Sequence, residues 1–226
     1  MKILAVSDEE VPALWDYYRP GRLDEYELII SCGDLKAEYL SFLVTMSKAR
    51  LLYVHGNHDE SYPVGGIDGC DCIDDQLVVY RGLRILGLGG CRQYHPGKVQ
   101  YTEAQMRRRI LRLRYALWRS GGVDLVVTHA PPEGIGDLDD PAHRGFAALR
   151  ELLDRYHPSY LLHGHVHLRY GADLQRVQEY NGTRVINASE RFELQIPEKD
   201  LTADQRLRYC TRHRDKGDDW DSFHLE

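Results

Sequence analysis

The four residues Gly56 to Asp59, GNHD, directly follow an apolar run and decide how the rest of the chain is interpreted. Other short apolar runs are also followed by short motifs that contain Asp or His. These are Asp8, Gly33-Asp34, the THAPP of Thr128 to Pro132 and the GHVH of Gly164 to His167. A two-metal centre requires Asp, Asn and His side chains from several strand ends, because carboxylates bridge or neutralise the cations while imidazoles and an amide complete the coordination. The sequence therefore predicts a metal centre where several strands end.

The composition is that of an ordinary globular protein. The chain has 226 residues, of which 42% are hydrophobic and 28% charged, which suits one domain with a buried core. The net charge of -6 gives no general attraction to nucleic acid or to anionic membranes. Ile3 to Val6 is too short for the apolar part of a signal peptide, and no apolar run approaches the roughly 18 residues of a membrane span.

The five cysteines are scattered, and this predicts reduced thiols in a cytoplasmic protein. Cys70 and Cys72 are one residue apart and have no second cysteine pair nearby, so their spacing does not predict a zinc site.

Ten stretches are predicted to form strands. The early ones are continuous apolar runs, which is typical of a sheet covered on both faces. The predicted strands are Ile3 to Val6, Leu28 to Ser31, Leu51 to His55, Leu77 to Tyr80, Arg84 to Leu88, Asp124 to Thr128, Tyr160 to His163, Leu174 to Tyr180, Arg184 to Ala188 and Phe192 to Ile196. Asn181-Gly182 predicts a two-residue hairpin, and Arg81-Gly82 is a weaker signal of the same kind.

The clearest predicted helix begins at Thr102. Thr102 and Gln105 have the spacing of a capping box, apolar residues then recur every three or four positions, and Gly121-Gly122 predicts the end. The opposite face is rich in arginine, which predicts a solvated face rather than the alternative, a nucleic-acid surface, given the acidic total. Further helices are predicted near Pro12 to Tyr18, Ala37 to Lys48 and Phe146 to His157.

The composition becomes charged and polar from Pro197 onward. We therefore predict a domain over residues 1–196 and a charged C-terminal tail over residues 197–226. Thr202 and Gln205 suggest the cap of a short helix that reaches about His213, and Asp215 to Asp221 is predicted to be disordered.

The motifs, in this order and spacing, resemble the signature of the calcineurin-like metallophosphoesterase superfamily, which reads D-x-H, GD-x-x, GNH-[DE], H and GH-x-H. The resemblance covers roughly Met1 to Ala188. It implies an α/β fold, a four-layer α-β-β-α sandwich of two mixed sheets flanked by helices, with a dinuclear metal centre at the strand ends along one edge.

The resemblance also implies the metal ligands. Those of the first metal are Asp8, Asp34 and His167, with Asp34 bridging to the second metal, and those of the second metal are Asn57, His129 and His165. Two divalent ions are implied, and Mn²⁺ is favoured, with Fe, Mg²⁺, Zn²⁺ and Ni²⁺ as alternatives. Such ions about 3.5–4 Å apart lower the pKa of a bridging water and hold the attacking and leaving oxygens in line.

His58 resembles the family residue that protonates the leaving oxygen or steadies the phosphate. Asp59 is predicted to orient the imidazole of His58 through its other nitrogen. Taken singly, these residue types have simpler interpretations: Asp8 could cap a helix, and Asn57 could belong to an ordinary turn. The combination favours metal binding, whereas His163 is predicted to be structural.

The sequence departs from the family pattern at Glu10, which stands where D-x-H has its histidine. With a bridging hydroxide, three carboxylates would make the centre formally neutral, and oxygen in place of imidazole favours Mn²⁺ or Mg²⁺. Three interpretations stay open: Glu10 binds the first metal, which we favour, it acts through a water, or the first site is weak.

Two loops are candidates for holding the substrate. Arg92 lies in the Gly-rich segment Gly89 to Tyr101 and could pair with phosphate oxygens. His143 lies in a long loop that leaves the metal-bearing strand end at His129, and such loops usually border the site.

The predicted activity is hydrolysis of a phosphomonoester or phosphodiester through a metal-bridging hydroxide, with a nucleotide among the candidate substrates. The alternatives are a non-catalytic scaffold with the same fold and a nuclease-type phosphodiesterase that uses the arginine-rich helix. No membrane partner is predicted, and the sequence does not indicate an oligomeric state.

Overall fold

The computed structural model describes residues 1–170, 174–197 and 206–211. Its strands are β1 Lys2–Ser7, β2 Leu28–Ser31, β3 Arg50–Tyr53, β4 Cys70–Cys72, β5 Gln76–Tyr80, β6 Leu83–Leu88, β7 Cys91–Arg92, β8 Gln100–Tyr101, β9 Leu125–Thr128, β10 Tyr160–His163, β11 Val177–Tyr180, β12 Thr183–Asn187, β13 Glu190–Gln195 and β14 Arg208–Tyr209. The α-helices are α1 Ala37–Thr45, α2 Glu103–Arg119 and α3 Ala147–Tyr156. Within the described residues, no helix combines the length and apolar character needed to cross a bilayer.

Two mixed sheets form the centre of the fold. One has five strands in the order β13-β1-β2-β3-β4, and the other has seven in the order β11-β12-β10-β9-β6-β5-β14. The strands β1, β2 and β3 run parallel to one another, and so do β6, β9, β10 and β12. Because parallel strands end at the same edge of a sheet, the residues that follow them gather there.

The packing confirms the predicted four layers. One buried cluster contains residues of both sheets, among them Ile30 and Val127, so the two sheets face each other. A second cluster joins the seven-stranded sheet to α2 and α3, and a third joins the five-stranded sheet to α1. The central strands are covered on both faces, which is why their sequences are continuous apolar runs.

Local signals account for several elements as predicted. Thr102 caps α2 in a complete capping box with Gln105. Asn181 and Gly182 have φ values of 46° and 83°, and Arg81 and Gly82 have values of 50° and 85°. Positive φ at both central residues is the requirement of a type I′ hairpin, so both predicted turns are confirmed.

Other elements differ from the prediction. The helix expected at Pro12 to Tyr18 is a single 3-10 turn over Pro12–Leu14, and β11 begins at Val177 rather than Leu174. Strands β4, β7 and β8 were not predicted, because two or three residues carry too little pattern to identify a strand.

Of the predicted tail, the structure describes residue 197 and residues 206–211. Within residues 206–211 the chain forms β14 in place of the end of the predicted helix. This strand pairs antiparallel with β5 and becomes the edge of the seven-stranded sheet. An exposed sheet edge offers a row of backbone hydrogen bonds that local sequence does not reveal. Thr202, Gln205, His213 and Asp215 to Asp221 lie outside the described residues, and the domain boundary at residue 196 stays a prediction.

Two leucines of α2 provide a test of this packing. Leu113 is 3% exposed against the seven-stranded sheet, and Leu111 is 54% exposed on the same helix. We expect Leu113→Ala to lower the free energy of unfolding by ~2–5 kcal/mol because it leaves a cavity. Leu111→Ala is the matched control and should change it by less than about 0.5 kcal/mol in urea denaturation. Equal losses for both variants would contradict the orientation of α2.

Candidate metal centre

The residues of the motifs meet at the carboxyl ends of the parallel strands. Asp8 follows β1, Asp34 lies three residues after β2, and His129 follows β9. Asn57 comes from the turn after β3 and His165 from the turn after β10. Both sheets therefore contribute to one site.

The backbone of the site is unusual at three of these residues. Asp8, Asp34 and His165 have φ values of 68°, 58° and 67°. The left-handed region costs a residue other than glycine roughly 1 kcal/mol or more, so the surrounding contacts must stabilise it. This conformation turns each of the three residues sharply out of its strand end.

Two glycines allow the chain segments to approach one another. A Cβ atom on Gly56 would lie 2.0 Å from Oδ1 of Asp34, and one on Gly164 would lie 1.9 Å from Oγ of Ser7 and 2.9 Å from Oδ2 of Asp8. Neither distance is compatible with a side chain. The glycines of GNHD and GHVH thus make room for the carboxylates.

Asp34, His129 and His165 form the centre of the cluster. Each offers one ligand atom, and the three atoms lie within 4.8 Å of one another. Nδ1 of His129 is 2.8 Å from the carbonyl oxygen of Cys32, while its Nε2 is 3.0 Å from Oδ1 of Asn57 and 3.3 Å from Oδ2 of Asp34. A donor bond through Nδ1 leaves Nε2 as the nitrogen that can bind a metal.

His165 is held in a similar way. Its Nε2 is 2.7 Å from the carbonyl oxygen of Ala142, so Nδ1 is the nitrogen free to act as a ligand. Its backbone N–H donates to Oδ1 of Asp8 at 2.8 Å. The GHVH turn is thereby fixed to the end of β1.

An unsatisfied carboxylate oxygen shows that the site suits a cation. Within the described residues, Oδ2 of Asp8 is buried and has no hydrogen-bond partner, although a buried carboxylate oxygen left without one is costly. Oxygen and nitrogen donors from Asp, Asn and His, without sulfur, are the set that hard and borderline divalent ions prefer. The residues present therefore fit the metal ions that the sequence implied.

The electrostatics of the site lead to the same conclusion. Burial raises the pKa of Asp8. Burial also works to raise the pKa of Asp34, but the neighbouring His129 outweighs it, and the pKa lies well below its usual value. Burial lowers the pKa of His165 to about 3. The pKa of His129 is raised to about 9, because Asp34 and Asp8 outweigh the effect of burial on its imidazole. The carboxylates thus favour a positive charge among them, which a divalent cation supplies.

Glu9, which the sequence did not single out, contacts His167. Nδ1 of His167 is 2.8 Å from Oε1 of Glu9, which also pairs with Arg169 at 3.0 Å. A carboxylate bound to one imidazole nitrogen leaves the other, Nε2, to face a metal. Glu10 instead pairs with Nζ of Lys36 at 3.2 Å, so its role as a ligand stays a prediction.

Asp59 contacts the backbone around the GNHD turn. Its Oδ2 accepts the backbone N–H groups of Asp34 at 2.8 Å and Gly56 at 2.7 Å, and its predicted role of orienting the ring of His58 stays a prediction. The carboxylate is buried beneath the GNHD turn, where two backbone donors need an acceptor. Asp59 therefore positions the turn, while His58 is exposed, with Nε2 4.0 Å from Oδ2 of Asp34.

The pocket above the cluster is small, with a volume of about 170 Å³. Its lining residues are Asp8, Asp34, Asn57, His58, Tyr94, Ala142, His143, His165, His167 and Tyr170. This volume is below the roughly 300–1,000 Å³ of pockets that enclose a drug-sized ligand. The pocket thus suits the reacting group, and the rest of a substrate would extend outside it.

The two predicted substrate contacts lie in different places. His143 lines the pocket, and its ring centroid is 5.3 Å from that of His165. Arg92 points elsewhere, with Nη1 3.5 Å from both Glu133 Oε1 and the carbonyl oxygen of Gly145. Tyr94 and Tyr170 also line the pocket, and no local sequence pattern around either tyrosine would have identified it.

The sequence model of the calcineurin-like phosphoesterase family matches residues 1–169. Among curated proteins, none matches this sequence. Solved structures share the fold: the protein TT1561 of Thermus thermophilus is 15% identical, with a TM-score of 0.56 over 84% of this chain and 89% of its own. A candidate 5′-nucleotidase of Staphylococcus aureus is 14% identical, with a TM-score of 0.56 over 88% of this chain and 52% of its own.

The close approach at Gly164 can be tested by substitution. We expect Gly164→Ala to displace the carboxylate of Asp8 and to weaken metal binding by about 10-fold or more, the scale of changes around a ligand. The measurement is metal content by elemental analysis after dialysis against Mn²⁺. Gly97→Ala is the control, because its Cβ would meet only the ends of Gln100 and Glu60. A Gly164→Ala protein with the metal content of the wild type would contradict this geometry.

Proposed function

Since this chain belongs to the calcineurin-like phosphoesterase family, we propose that it is a metal-dependent phosphoesterase and that its reaction takes place in the pocket over Asp34. The observation that carries the proposal is the convergence of ligand atoms from Asp34, His129 and His165 within 4.8 Å. Beside them lies an oxygen of Asp8 that has no hydrogen-bond partner among the residues that the structure describes. Buried groups of this kind need a cation to compensate them.

The proposed centre would hold two ions, and the carboxylate of Asp34 would contribute to both sites. Asp8 Oδ2 and His167 Nε2 would complete the first site, and Asn57, His129 Nε2 and His165 Nδ1 the second. Divalent ions bound there would screen the repulsion between nucleophile and phosphate and lower the pKa of a bound water. We propose Mn²⁺ as the ion, because oxygen donors and imidazole without thiolate suit it.

His58 is the proposed general acid. Its side chain is exposed at the pocket, 4.0 Å from Asp34, while its backbone N–H donates to Oδ1 of Asp34 at 2.8 Å. The backbone is thus tied to the metal ligand, whereas the ring is free to reach a substrate. A ring in this position can donate a proton to the leaving oxygen or hold a phosphate oxygen.

Glu9 is proposed to orient His167. A metal-bound histidine usually donates its second N–H to a carboxylate, and Glu9 Oε1 lies 2.8 Å from Nδ1 of His167. The favoured interpretation of the sequence, in which Glu10 is a ligand, would require Glu10 to leave Lys36 and turn toward the first site.

Nucleotides belong in the first substrate panel, together with simple monoesters and diesters. The small pocket favours recognition of the phosphoryl group and leaves the choice of leaving group to the surface around it. The nuclease alternative has less support, because two arginines of the arginine-rich helix have other partners. Arg107 pairs with Glu151, and Arg109 is buried against Asp75.

The proposed acid is tested by His58→Ala. With Mn²⁺ and an aryl phosphate monoester or a bis-aryl phosphodiester, we expect kcat to fall by about 10²–10⁴-fold, the usual contribution of general acid–base catalysis. Metal content should stay at the wild-type value, because the ring is not among the proposed ligands. The control His157→Asn changes an exposed histidine at the end of α3, where φ is 45° and asparagine is tolerated.

Inactivity of the wild type toward every ester in the panel, with metal bound, would support the scaffold alternative. Activity of His58→Ala equal to that of the wild type would remove His58 as the acid. Turnover of only nucleic-acid substrates, with binding that weakens steeply with salt, would favour the nuclease alternative.

Glu9 and Glu10 form a matched pair for a second test. We expect Glu9→Gln to weaken binding of the first metal by about 10–100-fold, because the amide orients His167 less firmly. Glu10→Gln should leave the affinity for the first metal unchanged within about twofold, since Glu10 pairs with Lys36. Isothermal titration with Mn²⁺ measures both. The reverse result would establish Glu10 as the ligand.

A further inference from the structure

A second group of potential ligands lies outside the pocket. His55 follows β3, Cys72 ends β4, and Asp74 lies just before β5. One ligand atom from each residue lies within 4.8 Å of the other two. None of the three lines the pocket over Asp34.

The arrangement of the three side chains is that of a chelate and not of a catalytic relay. Nδ1 of His55 is 2.6 Å from Oδ2 of Asp74 and 3.8 Å from Sγ of Cys72, so both partners face the same ring nitrogen. In a Cys-His-Asp triad the histidine bridges the other two residues through its two different nitrogens. Here the imidazole cannot pass a proton between Cys72 and Asp74, and the three donors instead surround one point.

The distances suit a small, borderline-soft ion. Tetrahedral ligands with Zn–N near 2.0 Å and Zn–S near 2.3 Å lie about 3.5 Å apart. The separation between Nδ1 and Sγ, 3.8 Å, is already close to this value. The contact between Nδ1 and Oδ2, 2.6 Å, would open by about 0.7 Å as an ion replaces their hydrogen bond.

The surrounding charges balance such an ion. Nε of the buried Arg109 is 2.8 Å from Oδ1 of Asp75, so this guanidinium is neutralised by Asp75. The thiolate of Cys72 and the carboxylate of Asp74 then supply two negative charges for a divalent cation. The net charge of the cluster is zero, which a partly buried site requires.

The surroundings favour binding and leave access. The rings of Tyr53 and Tyr62 pack against the imidazole of His55, with centroids 5.4 Å and 5.2 Å away, and limit its rotation. The side chains of His55 and Asp74 are 26% and 17% exposed, so an ion can reach the donors from solvent.

We propose that His55, Cys72 and Asp74 form a site for one thiophilic divalent cation, such as Zn²⁺. This site is separate from the centre over Asp34. The ion binds Nδ1, Sγ and Oδ2, and the remaining position takes a water. The Cys72 thiol and Nδ1 of His55 give up their protons to solvent as the ion binds, and the neutral imidazole carries its one proton on Nε2. It would join the start of the GNHD turn to the segment between β4 and β5.

Cobalt provides the test, because a Co²⁺–thiolate bond gives a charge-transfer band in the near ultraviolet and Asp, Asn and His ligands give none. The full-length apo protein is titrated with Co²⁺ in the presence of a non-thiol reductant. We expect a thiolate band whose final intensity corresponds to one cobalt–thiolate bond per chain, reached within about three equivalents because the centre over Asp34 also takes up cobalt. The band should be lost when Zn²⁺ is added. Cys72→Ser should lose the band, and the matched control Cys70→Ser, on the same strand, should retain it.

A second measurement uses the wild type, in case Cys72→Ser does not fold. Zn²⁺ should slow alkylation of Cys72 by iodoacetamide about 10-fold or more, as read by peptide mass spectrometry, while Cys70 reacts at an unchanged rate. Absence of the thiolate band in the wild type, its survival in Cys72→Ser, its loss in Cys70→Ser or unprotected alkylation of Cys72 would each overturn the proposal.

These results are independent of the proposed phosphoesterase activity. The centre over Asp34 contains no thiolate among its proposed ligands, so Asn57→Ala should keep the cobalt–thiolate band. Ester hydrolysis by the wild type without any such band would overturn the second site alone. A cobalt–thiolate band in a protein that hydrolyses no ester would contradict only the proposed phosphoesterase activity.

Discussion

The structure depends on the burial of two carboxylates beside an imidazole where the two sheets end. Asp34 accepts the backbone N–H of His58 through Oδ1 and faces Nε2 of His129 through Oδ2. Asp8 lies beside it, and one of its oxygens has no hydrogen-bond partner in the described part of the chain. Like charges at this depth repel and are poorly solvated, so they persist only where a positive charge compensates them. The rest of the fold keeps these groups in place.

The backbone maintains this arrangement more than the side chains do. Asp8 and Asp34 leave their strands in the left-handed conformation, and Gly56 and Gly164 let neighbouring segments approach within distances that no side chain permits. Asp59 adds a buried acceptor for two backbone N–H groups. The motif residues that are not predicted ligands therefore allow the chain to form tightly packed turns at the site.

The two groups of potential ligands lie on either side of one short turn. His55 belongs to the group with Cys72 and Asp74, and Asn57, two residues later, lies in the centre over Asp34. The donor sets differ, since one contains a thiol and the other only nitrogen and oxygen. The two sites would therefore prefer different ions because their donor atoms differ, although both lie at the end of β3.

Local patterns in the sequence were sufficient for the central strands, both type I′ hairpins, the capping box of α2 and the residues that gather at the strand ends. Each of these depends on neighbours within a few positions or on a motif whose members all follow parallel strands. The partners of Glu9, Glu10 and Asp59, the position of Arg92, and the meeting of His55 with Cys72 and Asp74 were decided by tertiary structure alone. His167 and Glu9 are 158 residues apart, and no local pattern records a contact between positions so distant, because it arises only when the two sheets pack together.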